Sequence, residues 1–206
     1  MLLWAISLIL VLLFGLLSIV GLVYYRMSRE PYENQRVVAR FADKGDAASR
    51  LAGLSKMGQV VVDSPPPSAP GTIGAAAWQA LKANYRPTLV ENDSAWKKGH
   101  IAHTHPDGQI SMAIRNKSGQ FLPDDQVAFV FLHELAHVAT FDMSRDKHSK
   151  EFWATFGAIL DIAYDKKLLE PRDYAKKPDS YEGISIEYNP WFDMDWRAVL
   201  NTAVGY

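Results

Sequence analysis

The chain has 206 residues, 48% of them hydrophobic and 22% charged, with 22 basic and 23 acidic side chains. That length suits one domain with or without an appendage, and the composition excludes collagen-like, coiled-coil and wholly disordered chains. A formal net charge of −1 argues against a whole-surface grip on nucleic acid, and the absence of cysteine excludes disulfides, thiol nucleophiles and thiolate-held zinc.

Residues 1–25, MLLWAISLILVLLFGLLSIVGLVYY, carry no charge. As a helix they would measure about 35 Å, enough to cross a hydrocarbon core of about 30 Å. A basic leading region and a small-x-small cleavage site are both missing, so the segment reads as a transmembrane signal anchor rather than a cleaved leader. Arg26, Arg29, Arg36 and Arg40 follow it, and basic flanks stay cytoplasmic. The expectation is a single-pass membrane protein with residues 1–25 in the bilayer, Tyr24 and Tyr25 at its interface, and the rest of the chain cytosolic.

Spaced apolar positions at Val37, Phe41, Ala48, Leu51 and Leu54 predict one or two short amphipathic helices, weakened by Gly45 and Gly53. SPPPSAPG at 64–71 reads as a linker, because consecutive prolines favour an extended chain. The expected division is therefore an anchor at 1–25, a juxtamembrane helix with a Pro-rich linker at 26–71, and a globular domain at 72–206. Within that domain, 75–83 predicts a short helix stopped before Pro87. Ile110, Met112 and Ile114 alternate with Ser111, Ala113 and Arg115, predicting a short strand between the turns at Asp107-Gly108 and Ser118-Gly119.

The stretch DDQVAFVFLHELAHVATF at 124–141 opens with two N-cap candidates, Asp124 and Asp125. From 127 to 139 only His133, Glu134 and His137 interrupt an apolar run, which predicts a buried helix. A second helix is expected over 147–169, with Phe152, Trp153, Phe156, Ile159, Leu160 and Ala163 on a broad apolar stripe and Pro171 beyond its end. The aromatic, turn-rich tail is expected to pack on the core.

His133-Glu134-Leu135-Ala136-His137 is an H-E-x-x-H motif. Residues four apart share a helix face, so the two imidazoles can converge on one ion. Glu134, one position on, reaches a water on the metal rather than the metal itself, the placement of a general base. Two imidazoles and a carboxylate in an apolar slot are costly to bury unpaired, and a divalent cation satisfies all three. A third ligand is required. The metzincin extension is absent, since Thr140 and Met143 stand where it needs glycine and histidine. Spacing leaves Asp146, His148 and Glu151 as candidates for the third ligand. His100, His103 and His105 suggest a second metal site but read better as surface histidines, and Tyr181 reads as a packing residue before an oxyanion donor.

HELAHVATFDMSRDKHSKEFW resembles the zinc-binding stretch of the WLM and SprT-like metallopeptidases: HExxH, a loop, then His-small-x-x-Phe-Trp. The likeness extends over about 72–192, through GHIAHTHPDGQISMAIRNKSGQFLPDDQVAFVFLHELAH and DYAKKPDSYEGISIEYNP, which are similar to WLM-like proteins of large DNA viruses. It implies an α+β fold of the small zincin type: a buried HExxH helix, a short β-sheet and a second packed helix. It also implies Zn2+ held by His133, His137 and His148, with Glu134 as the catalytic base of a zinc metalloendopeptidase acting on protein or peptide substrates. Glu182 departs from the pattern, standing where a cysteine is expected after the tail tyrosine. Relatives in these families cleave proteins crosslinked to DNA, but this chain has no evident nucleic-acid-binding module. The alternative is a zinc-stabilised binding module with catalysis lost, a reading that leaves Glu134 without a purpose.

Overall fold

A computed structural model describes residues 35–38, 41–92, 101–140 and 148–204. The chain divides after Asn34, and all of these residues belong to the unit Gln35–Tyr206. Among the described residues it holds helices α1 (Lys44–Asp63), α2 (Ile73–Asn84), α3 (Asp124–Thr140), α4 (Lys150–Asp165), α5 (Pro190–Asp193) and α6 (Trp196–Leu200). Its strands are β1 (Val90–Glu91), β2 (Ala102–Thr104), β3 (Ile110–Met112), β4 (Asp179–Tyr181) and β5 (Ile184–Ile186). The expected mixed α+β class is present.

The expected boundary at residue 72 moves to about 35. Helix α1 is not a juxtamembrane appendage: Ala47, Leu51 and Val61 on it are fully buried in the same core as Leu81 and Phe131. Each large apolar side chain so buried contributes about 1.5–3 kcal/mol. Gly58 lets this helix approach its neighbours, since a Cβ there would stand 2.5 Å from the Tyr85 hydroxyl and 2.8 Å from the Phe131 ring. Tyr85 in turn donates to the Ser55 carbonyl at 3.0 Å. Nor is the Pro-rich stretch a free linker. The Trp78 indole donates to the Ser64 carbonyl at 3.0 Å, fastening the link to α2, whose first turn is capped by Thr72.

Helix α1 is long but carries Lys44, Asp46, Arg50, Lys56 and Asp63, and no helix among the described residues is long and apolar enough to cross a membrane. This corrects the single-pass membrane localisation, and the cytosolic side assigned to the domain falls with it. Residues 1–25, on which that expectation rested, lie outside the described residues.

The main sheet has the order β1-β3-β2, with β1 parallel and β2 antiparallel to β3. Alternation of the kind seen along 110–115 is the pattern of a strand with one solvated face. Instead Ile110, Ser111 and Met112 of the central strand β3, and Ala113, Ile114 and Arg115 just beyond it, are all buried. The Arg115 guanidinium meets Glu91 at 2.7 Å and Asp43 at 2.6 Å and lies 3.9 Å above the Phe121 ring. Burial is tolerated there because the charge is paired and its N–H groups are hydrogen-bonded.

Helix α3 runs through the centre and packs on α1, α2, α4, β2 and β3. Its backbone opens from the Pro123 carbonyl, so Asp124 and Asp125 sit in the first turn rather than at the cap, where their charge still faces the positive end of the helix dipole. Helix α4 starts at Lys150, with Ser149 as N-cap accepting from the Phe152 amide. It stops at Asp165, short of the expected 169. Lys167 turns left-handed at φ 55°, and the Leu168 amide closes the end on the Ala163 carbonyl.

The tail packs on α4, as expected. The buried Asn189 amide donates to the Tyr164 hydroxyl at 3.0 Å and to the Arg172 carbonyl at 2.8 Å, while Trp191 donates to Asp161 at 2.8 Å. Strands β4 and β5 form a hairpin turning on Glu182 (φ 49°) and Gly183 (φ 86°). Two successive left-handed residues are what a tight two-residue hairpin turn requires, so position 182 is set by turn geometry.

Candidate metal centre

Helix geometry places His133 and His137 one turn apart on α3, and their ring centroids are 4.9 Å apart. His148 lies just before the N-cap of α4, outside the helix rather than in its first turn, with its ring 5.1 Å from His133 and 5.0 Å from His137. The three rings thus form a nearly equilateral triangle. One nitrogen from each lies within 4.8 Å of the others, a grouping that can hold a metal ion. The Nε2 atoms of His133 and His148 are 3.2 Å apart. Two nitrogens bound to one tetrahedral ion at about 2.0–2.1 Å stand about 3.4 Å apart, so that edge has the span of a shared ion.

Phe152 is the seat of the triangle. Buried on α4, it stacks on His137 at 4.3 Å and meets His133 and His148 edge-on at 4.9 Å each. Trp153 stacks on His148 at 5.5 Å and meets Tyr188 edge-on at 5.0 Å. Phe152 and Trp153 thus join the second helix to the first through direct ring contacts. The fit to a cation rests on the donors themselves. Burial, helped by the neighbouring His137 and His148, pushes the His133 imidazole down to about 3, leaving it neutral with a lone pair to offer. Glu151 does not belong to the grouping, and Asp146 and the loop 141–147 lie outside the described residues.

Glu134 follows His133 on α3 and is buried. Its Oε2 accepts from the Thr104 hydroxyl at 2.9 Å, and the same hydroxyl is 2.9 Å from the Glu134 carbonyl. Burial pushes the carboxyl up to about 7, with the Thr104 hydrogen bond pulling it back. Among the described residues Oε1 takes no hydrogen bond. The contact with Thr104 spans thirty positions along the chain, and no spacing pattern in the sequence announces it.

Tyr181 is buried, and its hydroxyl donates to the Ala113 carbonyl, pinning the β4–β5 hairpin to the sheet; it is engaged as a packing residue. Burial first and the Glu134 charge second push its phenol up, which keeps it a donor. His103 and His105 are half-buried rather than surface residues. Their rings lie 4.4 Å apart, and His105 Nε2 is 3.2 Å from the Ser111 hydroxyl. His100, the third member of that cluster, lies outside the described residues.

No family model and no solved structure matches the chain. A viral protein does. An uncharacterized protein of Acanthamoeba polyphaga mimivirus is 29% identical over 115 residues, which cover 50% of this chain and 57% of that protein. The match therefore spans little more than half the length of that relative.

Proposed function

We propose that the chain is a zinc-dependent metallopeptidase of the WLM and SprT-like kind, with the zincin fold, hydrolysing peptide bonds of protein substrates. The observation that carries this reading is the convergence of His133, His137 and His148 beside a buried carboxylate on the same helix as the first two. A purely structural site has use for the imidazoles but none for Glu134. His133, His137 and His148 would hold zinc without cancelling its double charge, and the ion would supply Lewis acidity towards a scissile carbonyl and the attacking water.

The protein's own groups do the rest. Glu134 Oε2 is held by Thr104, so Oε1 is the oxygen left to take the proton from the attacking water and pass it to the departing amine. Phe152 excludes water from the back of the histidine triangle and fixes the ring orientations. The exposed edge of His148 leaves one side of the site open to substrate.

The test uses the purified full chain. We expect about one zinc per chain, casein cleavage that stops on chelation, and recovery on adding zinc back. Stoichiometric zinc without cleavage would instead favour the zinc-stabilised binding module, and no bound metal would overturn both readings.

A further inference from the structure

We infer that Thr104 is a positioning residue for Glu134, a role that rests on the peptidase reading above. Its hydroxyl stands 2.9 Å from the Glu134 carboxylate and 2.9 Å from the Glu134 backbone carbonyl, so one side chain grips both ends of the same residue. A threonine hydroxyl has a single hydrogen, and its oxygen also accepts. With Glu134 ionised, that hydrogen goes to the carboxylate. With Glu134 carrying the proton, the carboxyl donates to the hydroxyl, whose hydrogen turns to the carbonyl. Either way the hydroxyl and the carboxyl share a hydrogen bond.

The grip is built on rigid elements. Thr104 pairs with Ile110 in the β2–β3 ladder, and Ile110 is fully buried. On the other side, Leu132, Leu135 and Ala136 fix α3 in the core with no exposure. A free glutamate samples many rotamers. Anchored from a strand, its carboxylate is held in one rotamer before substrate arrives, which is the condition for efficient proton transfer. Thr104 is therefore neither a ligand nor a reacting group; it sets where the base stands.

The experiment compares zinc-loaded full-length protein with Thr104→Val, which keeps the shape and removes the hydroxyl, and with Thr104→Ser, which keeps the hydroxyl. On a fluorogenic casein substrate we expect Thr104→Val to lower kcat by about 10–100-fold, with KM and zinc stoichiometry unchanged and Thr104→Ser restoring most of the rate. Crystal structures of the same proteins give a readout independent of turnover: the Glu134 carboxylate leaves its place in Thr104→Val and keeps it in Thr104→Ser. If Thr104→Val does not fold, Thr104→Ala carries the same readouts. The inference is overturned if Glu134 keeps its rotamer without the hydroxyl, if kcat is unchanged, or if zinc content and stability fall together with the rate. Inactive wild-type protein would sink the peptidase reading instead, leaving the rotamer comparison to decide the role of Thr104.

Discussion

Glu134→Gln is expected to retain zinc at wild-type stoichiometry and to lose about 10²–10⁴-fold in kcat. The amide keeps the size of the carboxylate and can still take the Thr104 hydrogen bond through its carbonyl oxygen, so the helix and the histidine triangle are left undisturbed. What disappears is the ability to hold a proton. Metal analysis beside casein proteolysis separates the two properties, and a Glu134→Gln protein that cleaves at the wild-type rate would remove Glu134 from the mechanism.

The second large effect belongs to His148. Replacing it by alanine removes one of three converging nitrogens and the ring that bridges α3 to Trp153. We expect zinc affinity to fall by more than about 100-fold, since even partners outside the ligand set cost about 10–100-fold when lost. The folded state feels this through linkage. An ion at about 1,000 times its Kd stabilises by about 4 kcal/mol, and a hundredfold weaker site at the same concentration keeps only about 1.4 kcal/mol. Glu151→Ala, outside the grouping, should leave zinc affinity near wild type. Competition with a chromophoric chelator measures both variants, and equal losses for the two would reject the three-histidine set.

The parts of this molecule that a sequence can announce are those written in short periods. His133, Glu134 and His137 lie within one and a half helical turns, so their spacing and apolar surroundings expose them directly. His148 lies eleven residues from His137 across a loop, where spacing leaves Asp146, His148 and Glu151 equal; only a family resemblance chooses among them. Helix α1 is legible as an amphipathic helix, but its place in the core escapes a sequence reading for a different reason. Beside Leu51, Leu54, Val61 and Val62 it buries Ala47, Ala48, Ala52, Ser55 and Gly58, small residues that look neutral in hydropathy, and Gly58 matters only once Tyr85 and Phe131 close on it. The burial of Arg115 is hidden likewise, because its partners Asp43 and Glu91 lie 72 and 24 positions away. Thr104 belongs to the same class: long-range polar contacts leave no periodic trace.

One contact has a practical meaning for anyone handling the protein. Trp153 lies face to face with the imidazole of His148, with ring centroids 5.5 Å apart and planes 28° from parallel. An indole so close to a ring of the proposed ligand set would be a built-in optical gauge. An open-shell ion such as Co2+ bound at the proposed site would drain the excited state of that indole, while closed-shell Zn2+ would leave it emissive. Occupancy can then be followed in the protein's own fluorescence, without a label and without a substrate.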